Sequence, residues 1–148
     1  MKKLLLLFSV LILLSACEID QMKMKICSYS NKEAMSTVDV TAYYTAENVP
    51  KIVIDLTQQF DKETMKSMGK ERLMKIVENA MVSTAGENNT TEVEFDDKNR
   101  KVHVKLTLFT EDMAEEQLES FNLHESKEIA KFVEKFKNLG YTCKDVKE

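Results

Sequence analysis

Two cysteines, Cys27 and Cys143, lie near the two ends of the sequence and constrain its fold more than any other feature. The 148-residue chain has three cysteines, and Cys17 is assigned below to a different chemistry, so only one disulfide pairing is possible. This bond would clamp the first predicted strand to the last, and closing so long a loop should stabilise the fold by roughly 4–5 kcal/mol. Two buried thiols are the alternative. A redox pair is disfavoured because the close C-x-x-C spacing is absent.

The N-terminus has the pattern of a bacterial lipoprotein signal peptide. Lys2 and Lys3 precede the apolar run Leu4–Leu14. As a helix this run would rise only about 16 Å against a hydrocarbon core of about 30 Å, which is too short to span comfortably. The run ends in Leu-Ser-Ala-Cys at residues 14–17, the pattern cut by the lipoprotein signal peptidase. We therefore expect residues 1–16 to be removed and Cys17, alkylated with diacylglycerol, to become the mature N-terminus.

This signal predicts where the protein lies and how its chain is organised. We expect a lipid-anchored protein on the extracytoplasmic face of the cell membrane, with residues 17–21 as a short tether and residues 22–148 as one domain. Two or three acyl chains on Cys17 would anchor it stably. Since this compartment is oxidising, the disulfide between Cys27 and Cys143 is favoured over two free thiols.

The charge of the mature chain excludes one class of partner. Loss of Lys2 and Lys3 leaves 19 basic against 25 acidic residues, a net charge of about −6. Binding to nucleic acid requires a basic face that neutralises phosphates, whereas the lysines here alternate with glutamates. The sequence therefore predicts no nucleic-acid partner, and membrane attachment through the lipid instead of through charge.

Alternating apolar and polar residues predict six strands. They lie within residues 22–27, 38–45, 52–57, 91–95, 102–108 and 141–146. Polar segments at 31–35 and 47–50 are the predicted turns of the first three strands, and residues 96–100 are the turn of a later hairpin. The last strand would bring Cys143 into the sheet.

A helical period replaces the alternation after Phe60. Asp61 is the predicted N-cap of a helix that runs to about Thr84. Its predicted apolar face consists of Met65, Met68, Leu73, Ile76, Val77 and Ala80. Gly69 lies near the middle of that face, where glycine costs up to about 1 kcal/mol relative to alanine. Either the helix bends at Gly69 or something packs closely over it.

Two further helices are predicted before the last strand. Thr110 is the predicted cap of a short acidic helix that ends near Ser120, and a second helix spans about 129–139, with Gly140 in the C′ position. The element order β-β-β-α-β-β-α-α-β predicts an α+β domain whose largely antiparallel sheet has helices packed on one face.

The sequence offers few metal ligands. His103, on a strand, and His124, between two helices, have no second histidine or cysteine at ligand spacing, so both are interpreted as surface or packing residues and not as a zinc or copper site. Met22 and Met24 form a pair that Cu(I) could use, but the other methionines mostly follow helical spacing. Asp96, Asp97 and Asn99 resemble part of a calcium loop, yet they lack its glycine and its terminal glutamate. We therefore predict no metal and no cofactor.

Catalytic motifs are also scarce, so we predict no enzyme and no catalytic residue. The only glycines stand at positions 69, 86 and 140, which excludes a P-loop, a Rossmann glycine pattern and a G-x-S-x-G elbow. The acidic residues Glu111, Asp112, Glu115, Glu116 and Glu119 are interpreted as a solvated helix start. A carboxylate-based hydrolase stays open as an alternative, because the separation of paired carboxylates depends on the fold and not on sequence spacing.

The sequence resembles the small YehR-type bacterial lipoproteins. The resemblance rests on four features. They are the Leu-Ser-Ala-Cys pattern at residues 14–17 (the lipobox), the short tether, the early cysteine in Lys25-Ile26-Cys27, and the closing segment Gly140-Tyr141-Thr142-Cys143. It covers most of the mature chain. It implies an α+β lipoprotein domain of unknown function and supplies no catalytic residues.

Two classes of function are consistent with these observations. The first, which we expect, is a non-catalytic surface lipoprotein that binds a protein, a cell-wall component or a small ligand through the sheet face or the acidic helical region. The second is a small hydrolase or a metal-handling lipoprotein. Two carboxylates with raised pKa in a deep pocket would favour the enzyme.

Overall fold

The structure, a computed structural model, describes residues 21–85, 89–121 and 123–146 and contains a six-stranded antiparallel sheet with four helices in these ranges. The strands are β1 Lys23–Asn31, β2 Ser36–Thr45, β3 Asn48–Gln59, β4 Thr90–Asp96, β5 Lys101–Phe109 and β6 Thr142–Val146. The helices are α1 Lys62–Met68, α2 Lys70–Ala85, α3 Glu115–Ser120 and α4 Ile129–Asn138. The predicted α+β class and the six strands are confirmed.

The strand order in the sheet is β4-β5-β3-β2-β1-β6, so the first and last strands are neighbours. All five pairings are antiparallel, and the sheet is open, with β4 and β6 at its edges. Within the described ranges no helix is both long and apolar enough to cross a membrane.

One face of the sheet forms the core. Cys27, Val40, Ile52 and Leu106 on successive strands are at most 2% exposed, and they pack in one cluster with helical side chains that include Phe132 of α4. The side chains that alternate with them point to the other face, which we call the open face. Most of these are exposed or half-buried. The cluster also contains Leu118 of α3, so the prediction that helices pack on one face holds for α3 and α4.

The single central helix predicted after Asp61 is wrong, because the structure divides it at Gly69. Asp61 caps α1 as predicted, its carboxylate accepting a hydrogen bond from the Thr64 backbone N–H at 2.7 Å. Gly69 then has φ 75° and ψ 155°, a conformation open to glycine, and α2 starts at the next residue. An alanine Cβ at this position would meet nothing within 4 Å, so the glycine serves a break in the helix and not a close contact.

The break changes which side chains are buried. α1 buries none of its residues, and in α2 Leu73 is buried while Ile76 is 49% exposed. α2 contacts β4 and β5, and Lys70 at its start forms an ion pair with Asp97 at 2.6 Å. The single apolar stripe predicted for the undivided helix therefore does not exist.

The predicted cap at Thr110 is also wrong. Thr110 is buried, and its hydroxyl donates a hydrogen bond to the backbone carbonyl of Val49 at 2.5 Å, so it fastens the end of β5 to β3. α3 begins only at Glu115, where the Gln117 side chain accepts a hydrogen bond from the Ala114 N–H at 3.0 Å. A residue whose hydroxyl is used inside the core cannot cap a helix.

The end of α4 is as predicted. Gly140 has φ 89°, its N–H donates to the carbonyl of Lys137, and the N–H of Tyr141 donates to the carbonyl of Phe136. This pair of bonds is the Schellman motif, which satisfies the last carbonyls of a helix. The turn directs the chain into β6 beside β1.

Candidate functional site

A cluster of charged side chains lies at the centre of the open face, and we call it the acidic patch. It consists of Asp39 (β2), Asp55 (β3), Glu92 and Glu94 (β4), and His103 and Lys105 (β5). Strand alternation points all six to the same side, and all except Asp39 are exposed. It contains four carboxylates and a single lysine, so this part of the sheet has an excess of negative charge.

Strand register determines which members of the patch are neighbours. Asp55 stands opposite Asp39 on one side and opposite Lys105 on the other, and Lys105 also faces Glu92. Directly opposite residues in an antiparallel sheet have Cβ atoms about 4.5–5.5 Å apart. The lysine is thus shared between two carboxylates, while the two aspartates face each other without an intervening cation.

A second row of the patch lies one step along the strands. His103 stands between Thr57 and Glu94, and its Nδ1 is hydrogen-bonded to the Thr57 hydroxyl at 3.0 Å. This bond fixes the orientation of the imidazole ring on the open face. His103 is therefore an exposed surface residue. Glu94 beside it makes its surroundings more acidic than the flanking valines in the sequence indicate.

The electrostatics of the patch are visible in Asp55. The pKa of Asp55 is raised above its usual value, chiefly because neighbouring side chains exclude water from it. Lys105 opposes the rise, and repulsion from Asp39 and Glu92 adds to it. A cation placed over the patch would relieve this repulsion and favour the ionised carboxylate.

The shape of the patch is a shallow depression in the sheet surface, with a volume of about 350 Å³, lined in part by Asp55, Glu92, Glu94, His103 and Lys105. It is open to solvent and has charged walls. Ligand pockets of enzymes are more often enclosed and mainly apolar. The depression suits contact with a surface or an extended chain better than enclosure of a small substrate.

Other residues singled out in the sequence are dispersed over the molecule. His124 is exposed in the turn before α4, and Met22 and Met24 lie at the start of β1, remote from His103 along the strands. Within the described ranges, no three histidine, cysteine, aspartate or glutamate side chains come close enough to hold a metal ion. The exposed carboxylates Glu111, Glu116 and Glu119 lie outside the acidic patch.

The segment of residues 96–100, which resembles part of a calcium loop, is a hairpin turn, as predicted. The carboxylate of Asp96 accepts hydrogen bonds from the backbone N–H of Asn99 at 3.0 Å and from its side-chain amide at 2.6 Å. These bonds lower the pKa of Asp96. Asp97 forms an ion pair with Lys70. The carboxylates of Asp96 and Asp97 therefore already have partners, within the turn and at the start of α2.

The cysteines of the domain are paired as predicted. Cys27 and Cys143 stand directly opposite each other on β1 and β6, with their Cα atoms 4.0 Å apart, and they form a disulfide. Cys27 is fully buried in the core cluster. The pair therefore fastens the edge strand to the sheet. Cys17 and the predicted signal peptide of residues 1–16 lie outside the described residues, so both cleavage and lipidation stay predictions.

Sequence reasoning missed the acidic patch as a unit. Alternation along the chain puts Asp39, Asp55 and His103 at polar positions of three separate strands. The signal that could have found them is the clustering of charge on the polar positions of residues 92–94 and 103–105. Only the strand order places these beside Asp39 and Asp55.

Comparison with known proteins identifies the fold. No protein-family model and no curated protein sequence matches this chain. The NMR structure of the E. coli YehR protein is similar to it, with a TM-score of 0.64 and 16% identity over 87% of this chain and 95% of that chain. The NMR structure of a protein from Streptococcus pneumoniae TIGR4 has a TM-score of 0.61 and 13% identity, over 86% and 88%. At such low identity the likeness shows the fold alone. The YehR-like fold is confirmed.

Proposed function

We propose that this protein is a membrane-anchored lipoprotein on the extracytoplasmic face of the cell membrane, and that it is a non-catalytic binding module. Its anchor is Cys17, and its binding surface is the open face, where the acidic patch receives a positively charged segment of a partner protein or cell-wall component. The sequence pattern of residues 2–17 supports the anchor. The acidic patch supports the binding surface.

The observation that carries the binding role is the grouping of four carboxylates with only one lysine on the open face of four neighbouring strands. These side chains start from neighbouring strands of a sheet whose other face is the packed core, so their backbone positions are fixed before a partner arrives. Preorganised charge raises the rate of encounter with an oppositely charged partner and selects against negatively charged ones. The pKa of Asp55 is raised chiefly by partial exclusion of water, and repulsion from Asp39 and Glu92 adds to the rise, so a cationic partner would favour the ionised carboxylate.

The two alternatives have less support. A carboxylate-based hydrolase uses two carboxyl groups with different pKa values in a site that excludes water. In the acidic patch a raised pKa is found for Asp55, and the depression around it is open. Metal handling requires clustered ligands, which the described residues do not provide.

The anchor is tested by labelling cells with an alkyne fatty acid. Cys17→Ser should leave unprocessed precursor that takes up no label, because the lipid can be added only through that thiol. The matched control is the double variant Cys27→Ala with Cys143→Ala, which should be labelled and processed like the natural chain. Normal labelling of Cys17→Ser would refute the lipoprotein assignment.

The binding surface is tested with a fluorescent decalysine peptide and the mature chain carrying Cys17→Ser. Neutralising the patch with Asp55→Asn, Glu92→Gln and Glu94→Gln should weaken peptide binding at least tenfold. The control removes the same number of exposed charges outside the patch, with Glu111→Gln, Glu116→Gln and Glu119→Gln, and should change binding by less than twofold.

The same titration gives an independent readout. Affinity should fall as the pH is lowered through the raised pKa of Asp55, because the peptide binds the ionised carboxylate, and the neutralised patch should lose this dependence. Equal weakening by both triple variants would mean that the peptide responds to net charge, and the assignment of the open face would be wrong.

A further inference from the structure

We propose that the end of the sheet at which β1 begins lies against the outer surface of the membrane and contacts lipid through an apolar row on the open face. The apolar row consists of Met24 (β1), Tyr43 (β2), Phe109 (β5) and Val146 (β6), and Met22 extends it toward the N-terminus. The inference rests on the proposed lipid attachment at Cys17.

Strand register places the members of the row side by side. Met24 stands opposite Val146 on one side and Tyr43 on the other. Tyr43 faces Lys51, and Lys51 faces Phe109, so the row crosses five strands of the sheet. The exposed fractions are 45% for Met22, 38% for Val146 and 37% for Phe109. These apolar side chains share one end of one face, whereas a single exposed apolar residue would need no explanation.

The length of chain between the anchor and the sheet selects the membrane as the occupant. Cys17 is seven residues before Met24, and a fully extended chain of that length spans at most about 25 Å. The acyl chains on Cys17 thus hold the row close to the bilayer at a high effective concentration, which no separate partner would have. Tyr29 is another exposed aromatic residue of β1, but it lies about 17 Å beyond Met24 and, five residues along, on the opposite face of the sheet.

The charges at this end suit the border between lipid headgroups and acyl chains. The Lys51 ammonium lies 4.5 Å from the centre of the Tyr43 ring, and Lys144 is exposed beside the row on β6. Aromatic rings and lysines with apolar stems are the residues that anchor proteins at membrane interfaces. Glu47 and Glu111 follow β2 and β5 at the same end and offset these lysines. Contact should therefore depend on the apolar side chains and not on anionic lipid.

The same orientation keeps the acidic patch available. Asp39 is paired with Ser28, which is four residues beyond Met24 along β1, so the patch begins about 14 Å from the apolar row. That distance exceeds the Debye length of about 8 Å at physiological ionic strength. The carboxylates would stand above the headgroups and face a partner that approaches along the membrane.

The test uses the fact that the chain contains no tryptophan, so one introduced indole gives an unambiguous signal. Phe109→Trp places the probe in the apolar row, and Tyr29→Trp is the control, since the exposed fractions of these two aromatic residues are 37% and 39%. Each variant is prepared as the lipidated protein in phosphatidylcholine vesicles with or without brominated acyl chains, which quench indole fluorescence on contact. Circular dichroism verifies that both variants fold.

We expect brominated lipid to lower the emission of Phe109→Trp at least twofold and to leave that of Tyr29→Trp within 10% of its original value. Replacing a third of the phosphatidylcholine with phosphatidylglycerol should not change the result. Equal quenching of both variants, or quenching of neither, would overturn the proposed orientation. An emission shift of Phe109→Trp that grows with the surface density of protein, without quenching, would assign the row to a second copy and would overturn it as well.

A parallel sample separates this inference from the proposed function. The unlipidated mature chain is coupled through the Cys17 thiol to a maleimide lipid in the same vesicles, which is selective because Cys27 and Cys143 are joined. If cells do not lipidate Cys17, the fatty-acid labelling fails while this sample still reports the orientation of an anchored domain. If lipidation succeeds and quenching fails, the orientation alone is wrong.

Discussion

Replacing Gly69 with alanine should destabilise the domain. The prediction of one continuous helix implies the opposite, that alanine would stabilise it. If residues 62–85 formed one continuous helix, alanine would be favoured over glycine by about 1 kcal/mol. The structure instead holds Gly69 at φ 75° and ψ 155°, where a residue with a Cβ is strained by about 1–3 kcal/mol. Alanine also reduces the conformational entropy of the unfolded chain, which stabilises the folded state by about 0.4–1 kcal/mol relative to glycine. The net expected loss of stability lies between about 0 and 2.6 kcal/mol, with a midpoint of about 1.3 kcal/mol.

No neighbouring atom contributes to this difference, because a Cβ at position 69 has nothing within 4 Å. The measurement is urea unfolding of the mature chain with Cys17→Ser, with and without Gly69→Ala, followed by circular dichroism. Lys75→Ala, at an exposed interior position of α2, is the control and should change the free energy of unfolding by less than about 0.5 kcal/mol. A more stable Gly69→Ala variant would show that α1 and α2 are one helix in solution and would refute the reasoning.

Four further outcomes are expected. Reducing the disulfide between Cys27 and Cys143, which lie 116 residues apart, should lower the free energy of unfolding by roughly 4–5 kcal/mol and raise the urea m-value, and the reductant should not affect the double alanine variant. Phe132→Ala, at a fully buried site, should cost about 3–5 kcal/mol in the same unfolding measurement. The hydrogen bonds from Thr64 lower the pKa of Asp61, so that cap stabilises the fold above the unfolded pKa and is lost as the pH falls through the folded one. The melting temperatures of Asp61→Ala and the natural chain should therefore differ at neutral pH, begin to converge below the unfolded pKa of about 4, and agree only once the pH has fallen below the lowered pKa of folded Asp61. Because the sequence predicts no metal, EDTA and a Cu(I) chelator should leave the melting temperature unchanged. Removing a structural metal would instead lower it by many degrees.

The regular elements were predictable where one local signal decided the structure. Alternation located all six strands, and Gly140 located the end of α4, because no distant residue competes with these local preferences. The disulfide was predictable because counting the cysteines left one partner for each. At Thr110 the sequence pattern failed because the hydroxyl donates a hydrogen bond to the Val49 carbonyl inside the fold. At Gly69 the sequence predicted a bend or a close contact within one helix, and the structure instead ends one helix at the glycine and begins another.

The acidic patch could not be predicted from the sequence, for a different reason. Its members come from four strands, and alternation gives the side on which a residue lies but not the strand beside it. Asp39 and Asp55 become neighbours only through the register of β2 with β3, and Lys105 comes to stand opposite Asp55 only because β5 lies next to β3. The pKa of Asp55 depends on those neighbours, so it could not be inferred earlier.

The adjacency of β1 and β6 also dictates when folding can finish. The contact between the first and last strands joins residues separated by more than a hundred positions. Such non-local pairing is slow, because the chain loses the entropy of loop closure before the stabilising contacts form. A chain that emerges N-terminus first can complete β2, β3 and their hairpins early, yet the outer edge of β1 stays unpaired until residue 146 has appeared. Until then that edge is a template for intermolecular strand pairing. Cys27 can therefore form its native disulfide only late, once Cys143 has been synthesised and brought beside it, and we expect an export or refolding procedure that oxidises thiols too early to trap Cys27 with a foreign partner.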